Sequence, residues 1–271
     1  MTTTTWFITG ASSGFGIAFA SFALGRGYNV VATARSIDKL GAFAARAPNR
    51  VLVHKLDVTA PGEAQQAIAA SIRRFGRIDV IINNAGYGVI GAVEETPEAE
   101  FRAQMETNFF GALAVIQAAL PHLRAQQSGA IINISSFAGR LSVGGLGAYS
   151  ASKFALEGMS EALAQELAPF GIKVLIVQPG VFRTNAVAAL RYMPELAAYR
   201  DIVGGVRDSP RNRHDGGDPY KAARAIERAL KAPATPLRLQ LGADAVTLVR
   251  EHTHALLNDL AAWEEVALDT R

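Results

Sequence analysis

Residues 6–16 read W-F-I-T-G-A-S-S-G-F-G. The apolar start predicts a short strand, and a helix is predicted to begin at about Phe15. Gly10, Gly14 and Gly16 lie between the two elements. Glycines in such a loop permit a tight turn and let the backbone approach a pyrophosphate closely, and the N-terminus of the next helix offers N–H groups and a positive dipole. The stretch therefore predicts a strand–loop–helix unit that binds a dinucleotide.

Strands and helices alternate through the rest of the chain. The predicted strands are near-continuous runs of Val, Ile and Leu, as expected for parallel strands covered on both faces. Strands are predicted at 6–9, 29–34, 51–56, 80–82, 130–134, 173–177 and 237–241, and helices at 15–26, 37–47, 61–75, 98–125, 219–231 and 244–266 and around Tyr149. This order predicts an α/β fold with a doubly wound (Rossmann) parallel sheet, in a single domain of residues 1–271 with C-terminal helices.

The segment 185–217 interrupts this alternation. It is rich in glycine and proline, and its length predicts a substrate loop or lid. Gly204 and Gly205 are a candidate hinge. Arg207 and the basic residues after it are expected to be solvated charges.

The composition excludes several classes of site. The 271 residues include no cysteine, and the five histidines lack metal-ligand spacing, so no metal is expected. A net charge of +3 without a stripe of basic and aromatic residues argues against nucleic acid. No apolar run approaches the ~20 residues of a spanning helix, and the first residues do not resemble a signal peptide. We expect a soluble, cytoplasmic protein with no membrane partner.

Polar residues follow the second, third and fourth predicted strands. Arg35 lies where an acid would receive the ribose of NAD, and an arginine there can pair with the 2′-phosphate of NADP. Asp57 can accept from an adenine amino group, or it can cap the next segment. Asn84 has turn formation as its alternative role. These residues favour NADP(H) over NAD(H), with a merely solvated Arg35 as the alternative.

Tyr149 and Lys153 are four residues apart at the start of a predicted helix, so both side chains lie on one face. An ammonium beside a phenol lowers the pKa of the phenol, which then can exchange a proton with a substrate oxygen. Ser136 lies thirteen residues before Tyr149. The alternative is a surface Tyr–Lys pair on an amphipathic helix. Asn108 falls within a long predicted helix, where a helix distortion with a bound water would explain it.

Two other functions are compatible with parts of this pattern. Gly10-Ala11-Ser12-Ser13-Gly14 also fits the nucleophile elbow of a serine hydrolase, with Ser12 as nucleophile. Only one strand precedes Ser12, however, and this interpretation gives Tyr149, Lys153 and Asn84 no role. A non-catalytic NADP-binding sensor is the second alternative.

Taken together, these motifs resemble those of the short-chain dehydrogenases/reductases. The resemblance covers about residues 5–185 and is closest to members acting on hydrophobic alcohols and ketones, such as hydroxysteroid and retinol dehydrogenases. It departs from many NADP-using members at Ser13, where they carry a basic residue. The matching motifs are Thr9 to Gly16, Asp57, Asn83 to Gly86, Asn108, Ser136, Tyr149, Lys153 and Pro179-Gly180.

The resemblance implies a role for each matching residue. Tyr149 is the general acid/base, Lys153 lowers its pKa and binds the nicotinamide ribose, Ser136 holds the substrate oxygen, and Asn108 anchors a proton-relaying water. The implied cofactor contacts are Gly10, Ser12, Ser13, Gly14, Phe15, Gly16, Arg35, Asp57, Val58, Asn84, Ala85, Gly86, Tyr149, Lys153, Pro179, Gly180, Val181 and Thr184. A homodimer or homotetramer, paired through the Asn108 and Tyr149 helices, is also implied.

The expected substrate is a small hydrophobic carbonyl compound or secondary alcohol. Ligands of a doubly wound sheet bind beyond the carboxyl ends of the strands, and the segments leaving those ends carry apolar residues. The candidates are Phe137, Val143, Leu146, Phe182, Tyr192 and Met193. Packing beneath the loops is their alternative role.

Overall fold

The computed structural model describes residues 3–184, 190–208 and 216–270. Its strands are β1 (Thr5–Ile8), β2 (Asn29–Ala34), β3 (Val51–Lys55), β4 (Val80–Asn83), β5 (Gly88–Ile90), β6 (Gly129–Ile134), β7 (Ile172–Pro179), β8 (Leu190–Tyr192) and β9 (Arg238–Leu241). Seven of them form one parallel sheet in the order β3-β2-β1-β4-β6-β7-β9. The predicted doubly wound fold is confirmed.

Helices cover both faces of this sheet. They are α1 (Gly14–Gly25), α2 (Gly41–Ala45), α3 (Glu63–Phe75), α4 (Glu98–Met105), α5 (Gly111–Gln126), α6 (Gly147–Leu167), α7 (Arg200–Asp208), α8 (Pro219–Lys231) and α9 (Ala243–Leu268). In the described residues no helix is both long and apolar enough to cross a membrane. No described group of three or more His, Asp or Glu side chains is arranged to hold a metal ion.

The core has two apolar layers, one on each side of the sheet. Successive strand residues point to opposite faces, so Trp6 and Ile8 pack with α1, α2 and α8, whereas Phe7 packs with α3, α5 and α6. Parallel strands covered on both faces require continuous apolar runs, which explains why the strands were visible in the sequence.

The sheet reverses its winding direction between β1 and β4. The chain proceeds outward from β1 through β2 to β3, and then returns to place β4 on the other side of β1. In open α/β sheets, ligands bind in the crevice at this switch point, beyond the carboxyl ends of the strands. The glycine loop after β1 and the Asn84 loop after β4 both lie there.

The structure corrects two predictions of secondary structure. The helix predicted at 98–125 is broken by a π-helical segment, Glu106–Phe110, between α4 and α5. The segment 185–217 is not wholly irregular, because β8 pairs in parallel with β5 and α7 follows it. The candidate hinge Gly204-Gly205 lies inside α7. Residues 185–189 and 209–215 of this segment lie outside the described residues.

Candidate active site

A cavity of about 1500 Å³ opens at the carboxyl ends of the sheet. Predicted cofactor residues lining it are Gly10, Ser12, Ser13, Gly14, Phe15, Arg35, Asp57, Val58, Asn84, Ala85, Gly86, Tyr149, Pro179, Gly180 and Thr184. Ser136 also lines it, as do Phe137, Val143, Leu146 and Phe182 of the predicted substrate group. Gly16, Asn108, Lys153, Val181, Tyr192 and Met193 do not form part of its walls.

The glycine loop has a backbone that other residues do not readily adopt. Gly10 has φ +63° and Gly14 has φ +52°, both in the left-handed region. A Cβ on Gly16 would overlap the Gly10 carbonyl oxygen and lie 2.8 Å from Asn84 Nδ2. Gly16 therefore permits close packing of α1 against the strand ends, although it does not line the cavity.

The N-terminus of α1 faces this cavity without a capping side chain. Ser13 is its N-cap residue, is exposed, and makes no side-chain hydrogen bond to the helix. The first N–H groups of a helix have no partner within the helix and carry partial positive charge. The loop and the uncapped helix together fit a pyrophosphate.

Asn84 joins the two loops at the switch point. Its Nδ2 donates to the carbonyl oxygens of Thr9, at 2.9 Å, and Gly10, at 3.2 Å. Thr9 Oγ1 accepts from the Asn84 and Ala85 amides, each at 2.9 Å. The Asn84 side chain therefore holds the glycine loop in place, so its role in the turn also shapes the cavity.

Charged residues surround the end of the cavity that lies beyond β2 and β3. Arg35 lines it together with Ser36 and Lys39, neither of which was predicted to be a site residue. Asp57 Oδ1 accepts from the Thr59 amide at 3.0 Å and its hydroxyl at 2.7 Å, so the carboxylate does cap the next segment. Burial alone would raise the pKa of Asp57, but these bonds and the charge of Arg35 lower it overall.

Ser136 and Tyr149 meet at the wall of the cavity beyond β6. Ser136 precedes the turn Phe137–Gly139, and its Oγ accepts from the Ala138 amide at 3.1 Å. Burial raises the pKa of the Tyr149 phenol, and its hydrogen bond with Ser136 offsets part of this rise. Tyr149 therefore holds its proton at neutral pH.

Lys153 lies behind Tyr149 in a buried position. Its Nζ donates to the Ile134 carbonyl oxygen at 2.8 Å and lies 5.8 Å from the centroid of the Tyr149 ring. Burial lowers the pKa of Lys153 to about 8, although the charge of Glu157 raises it in part. The net shift of the Tyr149 pKa is upward because burial dominates it, so the lowering of this pKa by Lys153 stays a prediction.

Asn108 occupies the π-helical segment, so the predicted helix distortion is confirmed, and the water that was expected with it stays a prediction. Its Oδ1 accepts from the Tyr87 amide at 3.1 Å, and its Nδ2 donates to the Tyr87 carbonyl oxygen and to Ser152 Oγ, each at 3.0 Å. The Asn108 side chain thus satisfies both backbone hydrogen-bonding groups of Tyr87, as a neighbouring strand would. A Cβ on Gly86 would lie 3.0 Å from Asn108 Oδ1 and 3.8 Å from Lys153 Nζ, so this loop passes close to both residues.

The segment after β7 forms the opposite wall. Its Val181 amide already donates to Asp244 Oδ2 at 2.7 Å, and the Asp244 carboxylate fills the space where a Gly180 side chain would be. Thr184 lies against Gly14, whose Cβ would be 3.4 Å from that of Thr184. Among the cofactor contacts predicted at 179–184, Thr184 is the one whose side chain lies beside the glycine loop.

The predicted substrate residues divide into two groups. Phe137, Val143 and Leu146 line the cavity beside Tyr149. Phe182 also lines it but packs against Phe15, with ring centroids 5.0 Å apart. Tyr192 and Met193 lie outside the walls on and after β8; Tyr192 is exposed, and the Met193 amide donates to the Ile90 carbonyl oxygen at 2.9 Å.

Several lining residues were missed. Ser36 comes directly after Arg35 at a predicted strand end, so the strand-end rule that selected Arg35 could have found it, whereas Lys39 falls within the helix predicted at 37–47. Leu190 and Arg191 line the cavity because β8 pairs with β5, about a hundred residues earlier, and such a pairing has no local signal. Arg191 lies over the Tyr87 ring, 4.5 Å from its centroid, and pairs with Glu100 at 3.0 Å.

The serine hydrolase alternative finds no support in this geometry. Ser12 lines the cavity, but none of the four described histidines does. They lie on β3 (His54), α5 (His122) and α9 (His252 and His254). A serine nucleophile needs an adjacent base, and within the described residues no histidine is placed to serve Ser12.

Comparison with known proteins agrees with the site. The profile of the short chain dehydrogenase family matches residues 4–195. A 3-ketodihydrosphingosine reductase of Bacteroides thetaiotaomicron is 41% identical over 241 residues, which are 87% of this chain and 86% of that protein. The crystal structure of a short-chain dehydrogenase from Streptomyces avermitilis has a TM-score of 0.96 and 45% identity, covering 99% of this chain and 98% of that one.

A more distant structure is that of an alcohol dehydrogenase from the archaeon Thermococcus sibiricus, complexed with 5-hydroxy-NADP. Its TM-score is 0.74 at 25% identity, with 88% of this chain and 96% of that chain covered. The family match includes the glycine loop, the Asn84 loop and the Tyr149 helix. The chain therefore belongs to the short-chain dehydrogenases and is an oxidoreductase that acts on CH–OH or C=O groups.

Proposed function

We propose that this enzyme transfers hydride between NADP(H) and a hydrophobic carbonyl compound or secondary alcohol, with Tyr149 as general acid/base. One observation carries the proposal. Tyr149 and Ser136 lie in the wall of a single cavity that joins a glycine loop fitted to a pyrophosphate with a chamber lined by apolar side chains.

The bound cofactor supplies hydride to the carbonyl carbon, and the chain's own residues manage the oxygen. Ser136 Oγ holds the oxygen beside Tyr149. The raised pKa of Tyr149 keeps its hydroxyl protonated, so it can donate to the oxygen as negative charge develops there. This protonation state favours carbonyl reduction at neutral pH. Lys153 contributes a buried positive charge next to the ring.

The residues at the end of the cavity beyond β2 and β3, where the adenosine half of the cofactor would bind, support NADP over NAD. Arg35 and Lys39 both line that end of the cavity, with Ser36 between them. Two cations and a hydroxyl suit a 2′-phosphate, since charge-assisted hydrogen bonds to phosphate are strong. Lys39 thus supplies the second basic residue that Ser13 does not. The solved complex of the archaeal relative with an NADP derivative is consistent with this choice.

The other half of the cavity supports an apolar substrate. Apolar side chains converge there from β5, from the loop before α6 and from the segment 190–208. They are Ile90, Phe137, Val143, Leu146, Leu190 and Val206. The relative named 3-ketodihydrosphingosine reductase is consistent with a ketone on an apolar chain. The segment 185–217 acts as a lid over the substrate, because Leu190 and Val206 of its described part line the cavity.

A homodimer or homotetramer is part of the proposal. Phe110 and Phe154 are both 45% exposed, at the start of α5 and on α6. Pairing of these helices with those of a second copy would cover both rings. The proposed partners are otherwise a small substrate and the cofactor alone.

The decisive experiment is an NADPH-oxidation assay over linear and cyclic ketones of rising size. Each well-buried methylene should stabilise the transition state by up to ~0.8 kcal/mol, which raises kcat/KM roughly fourfold. NADH at the same concentration should support slower turnover. A flat or falling series, or a preference for small charged substrates, would contradict the apolar pocket. Binding of NADPH without turnover of any ketone or alcohol would contradict the catalytic proposal.

A further inference from the structure

The C-terminal helix α9 extends beyond the body of the protein. Its packing on the body is confined to the first turns, where Ala245 is its buried residue. Every residue at 254–270 is exposed. A projecting segment of fifteen residues at ~1.5 Å per residue is about 22 Å long. Nothing in the described part of the chain covers this segment.

A largely apolar stripe runs along α9 and continues onto the projecting segment. Its large side chains Leu256, Leu257, Leu260 and Trp263 are 45–66% exposed. Apolar residues that alternate three and four apart on one face form the seam of a coiled coil. The series is Val246, Val249, Thr253, Leu256, Leu260, Trp263 and Ala267, with Thr253 as its one polar member. Solvent exposure of such a stripe marks an interaction surface.

The charges beside the stripe identify the partner. One flank carries Arg250, then Leu257, then Glu264, at seven-residue intervals. In an antiparallel pair of identical helices this flank is self-complementary: Arg250 faces Glu264 of the second copy, and Leu257 faces its own counterpart. Neither Arg250 nor Glu264 has an ion-pair partner among the described residues.

We propose that α9 is a self-association element, which pairs antiparallel with α9 of a second copy of this chain. The register set by Arg250 and Glu264 stacks Leu256 on Leu260 of the second copy. It also brings Trp263 against Thr253. The opposite flank places Asp259 near the two-fold axis, beside its own counterpart, and this like-charge contact limits the strength of the pair.

A lipid surface fits this helix less well than a second copy. Interfacial helices carry lysine and arginine beside their apolar face. The exposed part of α9 carries Asp259, Glu264 and Glu265 and no lysine or arginine. Its flanks would be repelled by anionic headgroups. The α9 surface is also distinct from the α5 and α6 faces that carry Phe110 and Phe154.

Cross-linking tests the register, because the chain has no cysteine. Leu257→Cys in the full chain should be converted to a covalent dimer by a short bis-maleimide. Ala261→Cys, on the outer side of the same exposed helix, is the matched control and should stay largely uncoupled. Equal coupling of both variants, or none at Leu257→Cys, would overturn the proposal.

Charge reversal tests the pairing by sedimentation of the full-length protein. Arg250→Glu or Glu264→Arg alone converts two symmetric attractions into repulsions and should weaken this association step about tenfold. The double variant should restore it, Glu265→Arg on the outer face should leave it unchanged, and Asp259→Asn should strengthen it. An assembly that no α9 variant alters would refute the proposal, as would wild-type binding to phosphatidylcholine–phosphatidylserine vesicles through a monomeric α9.

Discussion

Lys153 Nζ lies beside the Tyr149 ring, 5.8 Å from its centroid, and is held there by the Ile134 carbonyl oxygen at 2.8 Å. The two side chains share a helix face, yet the lysine does not make the phenol acidic in this structure. Burial dominates both groups and favours the neutral form of each, which raises one pKa and lowers the other. The Tyr149 hydroxyl therefore keeps its proton at neutral pH, as the proposed role of a general acid in carbonyl reduction requires.

Replacing Tyr149 by Phe should remove general acid catalysis and lower kcat for ketone reduction by about 10²- to 10⁴-fold. The affinity for NADPH, measured by fluorescence titration, should change little because the ring remains. Tyr220→Phe is the matched control, since Tyr220 lies on α8 and does not line the cavity. Full turnover by Tyr149→Phe with any good ketone would exclude the assigned role.

The family resemblance assigns Lys153 a hydrogen bond to the nicotinamide ribose, and on this proposed role alkaline pH should weaken NADPH binding. The pKa of Lys153 is lowered to about 8 by burial, so the ammonium is present below that pH and is lost as the pH rises through it. Because the raised pKa of Tyr149 keeps the phenol neutral over this range, the change belongs to the lysine. NADPH affinity should therefore decline between pH 7 and 9, on either side of the Lys153 pKa of about 8.

The variant Lys153→Arg provides the control for this decline, because a guanidinium stays charged throughout. Its NADPH affinity should be flat over the same interval, whatever its absolute value. An identical pH dependence in wild type and Lys153→Arg would assign the titration to another group.

Arg35→Asp should shift cofactor preference toward NADH, because it replaces an attraction for the 2′-phosphate with a repulsion. A charged hydrogen bond is worth about 1.5–3 kcal/mol, so the ratio of kcat/KM for the two cofactors should move at least tenfold. Lys39→Ala should move it in the same direction by less. Arg46→Asp, an exposed charge reversal that does not line the cavity, is the control. Unchanged ratios would mean that Arg35 is only solvated.

The sheet and the strand-end residues could be predicted because both depend on local sequence. Buried parallel strands are short apolar runs, and the residues that follow them must lie at one edge. Gly10, Arg35, Asp57, Asn84 and Ser136 were all found in this way.

The rest depends on contacts between distant parts of the chain. The pairing of β5 with β8 joins Gly88 to Leu190, and neither three-residue strand has a periodicity of its own. Arg207 was expected to be solvated in an irregular loop. It is instead mostly buried on α7, because Glu95 supplies a carboxylate about a hundred residues away.

That ion pair fastens the proposed lid to the body of the protein. Arg207 Nη2 lies 2.7 Å from Glu95 Oε2, and the same carboxylate accepts from the Ala92 amide at 2.6 Å and the Leu196 amide at 2.8 Å. Arg207 Nη1 donates to the Met193 carbonyl oxygen at 2.9 Å. The pair thus links α7, the segment before it and the turn before α4.

Breaking this buried pair should loosen the lid and leave the sheet intact. Arg207→Met leaves the Glu95 carboxylate buried without its cation, which typically costs about 3–5 kcal/mol. Amide exchange in α7 should accelerate on the order of 10²-fold or more, while β1 and β4 keep their protection. Because Val206 lines the cavity, kcat/KM for a bulky ketone should fall further than NADPH affinity does.

Acidification should reproduce this loosening in the wild-type enzyme. Burial alone would raise the pKa of Glu95, but its amide hydrogen bonds and the charge of Arg207 lower it below the ordinary 4.5. The stabilisation by Glu95 is therefore complete above pH 4.5 and is lost as the pH falls through the lowered pKa.

The matched control for Arg207→Met is Arg200→Met, which breaks the exposed Arg200–Glu195 pair of the same segment and should cost at most about 1 kcal/mol. If α7 exchanges equally fast in Arg207→Met and Arg200→Met, the buried pair does not hold the lid.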